Sequence, residues 1–313
     1  MPGLQIQVFG KLRMRYGDGT IEFFPTRRSE ELLSYLLLNQ AVQLPRERLV
    51  EMLWPDQALS NGRASLSTAL WRLRTVFNQL GVSADDYLQA SRDWVRLLPR
   101  EPLSLDMSDF EQLLDKAARA NQLAEREKSL RQAVVLYSGA FCEGIYAEWC
   151  LLARERLERR YLRALGQLTV QRMEEGDFDE ALSFGRQLLE RDPLREEVHR
   201  ALMLCYLNLG RYAQGVRQFQ ECARLLQAEL QTLPMPETIA LYQRIIEARM
   251  WATASPDGQS EEMSVELQRA FADFQAAAAA LNALFERAEI ESEAAPSVTP
   301  EPDRLPRRRP MPS

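Results

Sequence analysis

Residues 61–80 read NGRASLSTALWRLRTVFNQL. At about 100° per residue, Leu66, Ala69, Leu70, Leu73, Val76, Phe77 and Leu80 fall within an arc of roughly 120°, the apolar stripe of a helix that packs on a core. Opposite that stripe lie Asn61, Ala64, Thr68, Trp71, Arg72, Thr75 and Gln79, and Arg63 and Arg74 flank it. The polar side is distinguished by what it lacks. No Asp or Glu occurs from Asn61 to Leu80, although the chain carries 45 acidic residues among 313. A helix that faces only water draws freely on Glu and Lys, whereas one that faces a polyanion has to exclude carboxylates. Small residues permit close approach, Thr and Ala can meet a thymine methyl, Asn and Gln can pair with adenine, and Arg can pair with guanine or phosphate. Trp71 can stack on a sugar or backbone, or pack under a following hairpin near Trp94; packing is the expected place.

On the N-terminal side, LQIQVFG and KLRMRY alternate apolar and polar residues, YGDGT supplies a turn, and IEFF alternates again. This pattern predicts a small antiparallel sheet over 4–24. RRSEELLSYLLLN (27–39) predicts a first helix, capped by Thr26 or Ser29. PRERLVEMLW (45–54) predicts a second, opened by Pro45 and stopped by Pro55. After the quoted helix, YLQAS (87–91) and WVRLL (94–98) alternate around Arg92-Asp93, the pattern of a hairpin. Sheet, three helices and hairpin is the element order of a winged helix, whose third helix can enter a DNA major groove. Asn61, Ala64, Thr68, Arg72 and Thr75 are then the candidates to read bases. Arg27, Arg28, Arg46, Arg48, Arg63, Arg74, Arg92 and Arg96 are the candidates to grip the DNA backbone.

Beyond Leu105 the chain reads as helix after helix. GDFDEAL (176–182) and GRYAQGV (210–216) start 34 residues apart, the tetratricopeptide period. Ala181 stands where helices approach and Pro193 closes the unit; the second copy is degenerate, with Gly215 at the small position and no matching proline. Such repeats bury their faces only by stacking on neighbours, and their product is a surface for other chains. The expected architecture is mainly α: a winged-helix DNA-binding domain over 1–100, then a tetratricopeptide-like helical repeat domain over 104–250. Residues 251–262 read as a linker. In 263–290, Leu267, Phe271, Phe274, Ala278, Leu281 and Phe285 form a heptad-like seam. That helix either docks on its own repeat domain or pairs with a second copy as a homodimer. Residues 291–313 are proline-rich, polar and expected to be disordered.

A chain of 313 residues holds two ordinary domains. The net charge is −6, yet residues 1–100 carry 13 Lys+Arg against 10 Asp+Glu, so the balance of −9 lies in the remainder. That asymmetry suits an N-terminal segment that meets a polyanion and a remainder that meets protein. Cys142, Cys150, Cys205 and Cys222 sit in apolar contexts without a C-x-x-C pair and are expected to be buried, reduced thiols. His199 is the single histidine, which excludes a multi-histidine metal site. No apolar run approaches the roughly 18 to 20 residues that span a bilayer, and residues 1–20 show no basic-then-apolar leader. A cytoplasmic protein without a membrane partner is expected. No nucleophile with a base, no metal cluster and no G-x-x-x-x-G-K-[ST] loop can be assembled, so neither an enzyme nor a cofactor is expected.

The succession LPRERLVEMLWPD (44–56), NGRASLSTALWRLR (61–74), LDMSDFEQLL (105–114), LRQAVVLYSGAF (130–141) and DPLREEVHRALMLCYLNLGRYAQGVRQFQECARLLQAEL (192–230) resembles the antibiotic-regulatory type of bacterial transcriptional activator. That family joins a winged helix to a bacterial transcriptional activator domain, and the resemblance covers residues 4 to 247. It implies binding of double-stranded DNA at repeated sites upstream of a promoter, as a dimer or head-to-tail array, and recruitment of RNA polymerase. By position, Arg46 and Trp54 match the second-helix motif, and Arg72 and Arg74 the end of the recognition helix. The sequence departs from the pattern at Ser91-Arg92-Asp93-Trp94, where many relatives carry a glycine and tyrosine. It departs again at TLPMPET (232–238), which replaces a glycine-valine-glutamate-proline stretch. The alternative left open is an interaction adaptor whose winged helix no longer binds DNA.

Overall fold

The computed structural model describes residues 3–254, which divide into two compact units meeting at Arg172 and Met173. The first unit opens with β1 (Leu4–Gln7), β2 (Arg13–Tyr16) and β3 (Gly19–Ile21), paired antiparallel in sequence order. Leu4, Ile6 and Met14 are buried while Gln5, Gln7, Arg13 and Arg15 face out, the period of a strand with one covered face. Helix α1 (Arg27–Leu38) follows, and Thr26 is its cap: Oγ1 accepts from the Ser29 amide at 3.3 Å. Strand β4 (Leu44–Pro45) leads into α2 (Arg46–Leu53), so Pro45 stands just before the helix rather than inside it. Helix α3 spans Leu59–Gln79, starting two residues before the quoted stretch. The hairpin is β5 (Leu88–Ala90) and β6 (Trp94–Leu97).

Two strands were not legible as such. β4 pairs with β6 through Leu44 and Val95, making the wing three-stranded. β7 (Leu103–Leu105) pairs parallel to β1, so the small sheet expected to be antiparallel has order β3-β2-β1-β7 and is mixed. A parallel partner needs a long crossover, and here the whole winged helix between β1 and β7 supplies it. Asp106 locks the join. Its carboxylate accepts from the amides of Val8 at 2.9 Å, Phe9 at 3.0 Å and Met107 at 2.8 Å. Burial pushes this carboxyl above the usual range, against the three amides that pull it down.

Helices α4 (Asp106–Arg119) and α5 (Leu123–Leu136) pack together, and α6 (Glu148–Glu174) follows. Phe9, Phe110, Tyr137 and Tyr161 form one aromatic cluster that ties the N-terminal strand to these helices. Tyr35 of α1 meets Trp149 of α6 edge-on at 5.1 Å. The winged-helix segment is therefore bonded into the helices after it, not strung beside them.

The second unit is α7 (Phe178–Arg191), α8 (Glu196–Asn208), α9 (Tyr212–Leu225), a π turn (Leu226–Leu230) and α10 (Pro236–Ala254), each packed on its neighbour. α7 and α9 carry the two copies of the 34-residue period. Asp177 caps α7 by accepting from the Glu180 amide, and Ala181 is fully buried. At the matching position of α9 a Cβ on Gly215 would stand 3.0 Å from Ile245 Cδ1, so the missing side chain lets α10 close on α9. His199 is buried, bonded to the Pro193 carbonyl at 2.9 Å and to Gln218 at 2.6 Å. All four cysteines are free and buried; burial raises the thiols, Cys150 to about 11 and Cys205 and Cys222 to about 12. No helix of the described residues is long and apolar enough to cross a membrane. The heptad-like segment 263–290, with the homodimer it would make, and the tail 291–313 lie outside the described residues.

Candidate nucleic-acid interface

The seven residues of the apolar stripe, Leu66 through Phe77 on α3 and Leu80 at its C-terminal cap, are all buried. Their burial fixes the rotation of the helix, and with it which residues look outward. Asn61, Arg63, Ala64, Ser67, Thr68 and Gln79 are exposed, while Arg72, Arg74 and Thr75 are half-buried. Gly62 is buried against α2: a Cβ there would overlap the Cγ1 methyl of Val50. This glycine sets how closely the two helices of the helix-turn-helix approach. Its sequence signal was a lone glycine inside a helical pattern.

Trp71 is 65 % exposed. The expected packing beneath the hairpin does not occur, because the indole projects from the side of α3 opposite the core. Trp94 has another companion: the Arg96 guanidinium lies over its ring, 5.4 Å from the centroid.

The arginines divide sharply by partner. Arg46 is half-buried; its Nε donates to the Ser91 carbonyl of the wing at 2.9 Å and its guanidinium donates to Ser67 Oγ of α3 at 3.3 Å. It thereby fixes wing to recognition helix. Burial lowers its pKa, and the nearby Arg74 and Arg63 lower it further, marking a cation-rich corner. Ser67 also donates to the Arg63 carbonyl at 2.9 Å, and sequence reasoning passed it over because a short polar residue carries no pattern of its own. Arg63 pairs with Glu47, and Arg74 with Asp85 at 3.7 Å. Arg27 and Arg28 both bind Glu31, at 3.0 and 2.6 Å. Arg96 donates to Gln89 at 3.0 Å.

The side chains of Arg48, Arg72 and Arg92 form no hydrogen bond or ion pair among the described residues. They occupy three different elements: α2, the middle of α3, and the wing tip. At that tip the Ser91 hydroxyl accepts from the amides of Asp93 and Trp94, at 3.2 and 3.1 Å, an ST turn that leaves Arg92 exposed. Among the described residues no group of three or more His, Cys, Asp or Glu is placed to hold a metal ion.

Residues 105–246 match the family described as the bacterial transcriptional activator domain. The regulatory protein AfsR of Streptomyces coelicolor is 30 % identical over 247 residues, covering 78 % of this chain and 24 % of that protein. AfsR of Streptomyces griseus is 28 % identical over 251 residues, 78 % of this chain and 25 % of that protein. This chain thus spans about a quarter of the length of these relatives. The structure of Mycobacterium tuberculosis EmbR, in complex with a low-affinity phosphopeptide, shares the fold with a TM-score of 0.65 at 18 % identity, covering 91 % of this chain and 72 % of that one.

Proposed function

Since residues 105–246 match the bacterial transcriptional activator domain family and come after a winged helix, the make-up of the antibiotic-regulatory type of activator, we propose that this protein is a transcription regulator that binds double-stranded DNA. Helix α3 enters the major groove, the wing tip carrying Arg92 follows the backbone, and the helices after β7 recruit RNA polymerase. The observation that carries the reading is the outward side of α3. It holds no carboxylate, and the Arg72 side chain stands on it without a partner, as do those of Arg48 on α2 and Arg92 at the wing tip.

An adaptor that no longer binds DNA is the second reading. Its support is the pairing of Arg27, Arg28, Arg63 and Arg74 with carboxylates of their own chain. The Arg63–Glu47 and Arg74–Asp85 pairs are exposed on both sides and worth little, about 0 to 1 kcal/mol, so a phosphate can compete for those two arginines, whereas Arg27 and Arg28 are held by the buried Glu31. The full chain is the material to use, because β7 and Asp106 join the winged helix to helices α4 and α5. Binding to genomic duplex fragments is measured at rising salt. The log–log slope should fall by about 0.9 for each phosphate contact removed, and Arg72→Ala should weaken bound sites by about tenfold and relax their sequence preference. Absence of binding at low salt, or binding indifferent to salt, would leave the adaptor.

A further inference from the structure

The outward row of α3 is less polar than its composition suggests. Ala64, Thr68, Trp71 and Thr75 are spaced 4, 3 and 4 residues apart, a single line along the helix opposite the core. The hydroxyls of Thr68 and Thr75 donate back to the carbonyls of Ala64 and Trp71, each at 3.1 Å. Their only protons are engaged within the helix, so neither threonine donates to a base without giving up that bond. What they retain is a methyl group. Between them stands the indole of Trp71, with one donor and no acceptor. The row is an apolar strip of about 16 Å, at 1.5 Å per residue.

A strip of this kind, on a helix free of carboxylates and beside an unpaired arginine, fits a partner that is anionic yet presents apolar groups at helical spacing. Charge complementarity selects duplex DNA, and the apolar groups of its major groove are the C5 methyls of thymine. We propose that α3 recognises its site chiefly through thymine methyls, with Trp71, Thr68 and Thr75 packed against them and Arg72 setting the register. The proposal rests on the DNA-binding reading and names the base that reading selects. Hydrogen-bond readout from Asn61 or Arg72 alone would call for no indole in the middle of the row.

The test uses the full chain to select sites from a random duplex pool. Selected duplexes are then resynthesised with deoxyuridine at each thymine in turn, which deletes the methyl and keeps the base pair. Thymine should recur at fixed positions, and uridine at those positions should weaken binding about three- to fivefold, the transfer value of one methyl. Trp71→Ala should erase the difference between thymine and uridine at one position. Thr75→Ser, which keeps the hydroxyl and drops the methyl, should erase it at another. The exposed Trp71 side chain predicts an unchanged melting temperature for its variant, which separates loss of contact from loss of fold.

If the wild type selects sites but thymine and uridine bind alike throughout, the thymine reading is overturned and DNA binding stands. The same holds if Trp71→Ala weakens both duplexes equally. If the wild type selects no site, DNA binding itself falls and takes this proposal with it.

Discussion

Helices α3 and α7 are alike on one side and opposite on the other. Each buries an apolar stripe, Leu66 to Phe77 in α3 and Ala181, Leu182, Phe184 and Leu188 in α7. Outside, α7 and its neighbours carry their own acids: Asp179 pairs with Arg211 at 2.5 Å, Asp192 with Arg195 at 2.6 Å, Glu221 with Arg224 at 2.7 Å. α3 has none, and Arg63 and Arg74 reach carboxylates on α2 and on the 3₁₀ turn Ala84–Asp86. The inward stripe reports how a helix is folded in. Only the outward side reports what it is for, and only where charges are left unsatisfied.

The sharpest way to break this contrast is to put the missing acid on α3. Thr68→Glu should reduce DNA binding on the order of a hundredfold, since like charges brought together at an interface cost several kcal/mol. Ser183→Glu, at an exposed site of α7, should leave binding and melting temperature unchanged in the same titrations. Equal effects of the two substitutions would remove the distinction between the helices.

Gly62→Ala probes whether the α2–α3 approach matters as much as the face. The added methyl overlaps Val50 and should cost about 2 kcal/mol of stability, read by denaturant unfolding, as overpacked sites do. DNA binding should fall with it. A neutral result would mean that α2 and α3 can separate without loss.

The repeat helices answer to pH where α3 does not. His199 is buried with its ring bonded on both nitrogens, and burial lowers its pKa. A proton is then taken up more readily by the unfolded chain. Its contribution to stability is full above the ordinary histidine value and is lost as pH falls through that value toward the folded one. Melting should decline on acidification from neutral pH with a slope of at most about 1.4 kcal/mol per pH unit from this group, and His199→Gln should flatten that part of the profile. A wild-type profile without the decline would place the imidazole in a more hydrated setting.

The smallest effect belongs to the exposed pairs. Arg211→Ala removes the 2.5 Å pair with Asp179, two side chains that are 40 and 62 % exposed, and should shift the melting temperature within measurement scatter. A drop of several degrees would show that the repeat surface is held by its ion pairs.

Much of this could be read along the chain. The stripe of α3, the Thr26 cap, the wing hairpin and the 34-residue period each depend on residues a few positions apart, which share a face or a turn whatever the rest of the molecule does. The role of Gly62 was harder, because a glycine in a helix has no outward sign of the side chain it admits. Trp71 was misplaced for a related reason: its place opposite the stripe was legible, but an indole has the composition of a core residue, and only the fold leaves it without the hairpin as a cover.

By itself the sequence determined the helices, their inward faces and the absence of acid on one of them, since helical periodicity is a local property of the backbone. The tertiary structure alone decided that β7 joins β1 in parallel, that Asp106 binds the amides of Val8 and Phe9, and that Arg46 holds the wing. It also decided which arginines are satisfied. Glu47 and Asp85 neutralise Arg63 and Arg74 while Arg72, on the same helix, meets no carboxylate. Whether a charge is free depends on distances of a few ångströms between residues far apart in the chain, and those distances exist only once the chain has folded.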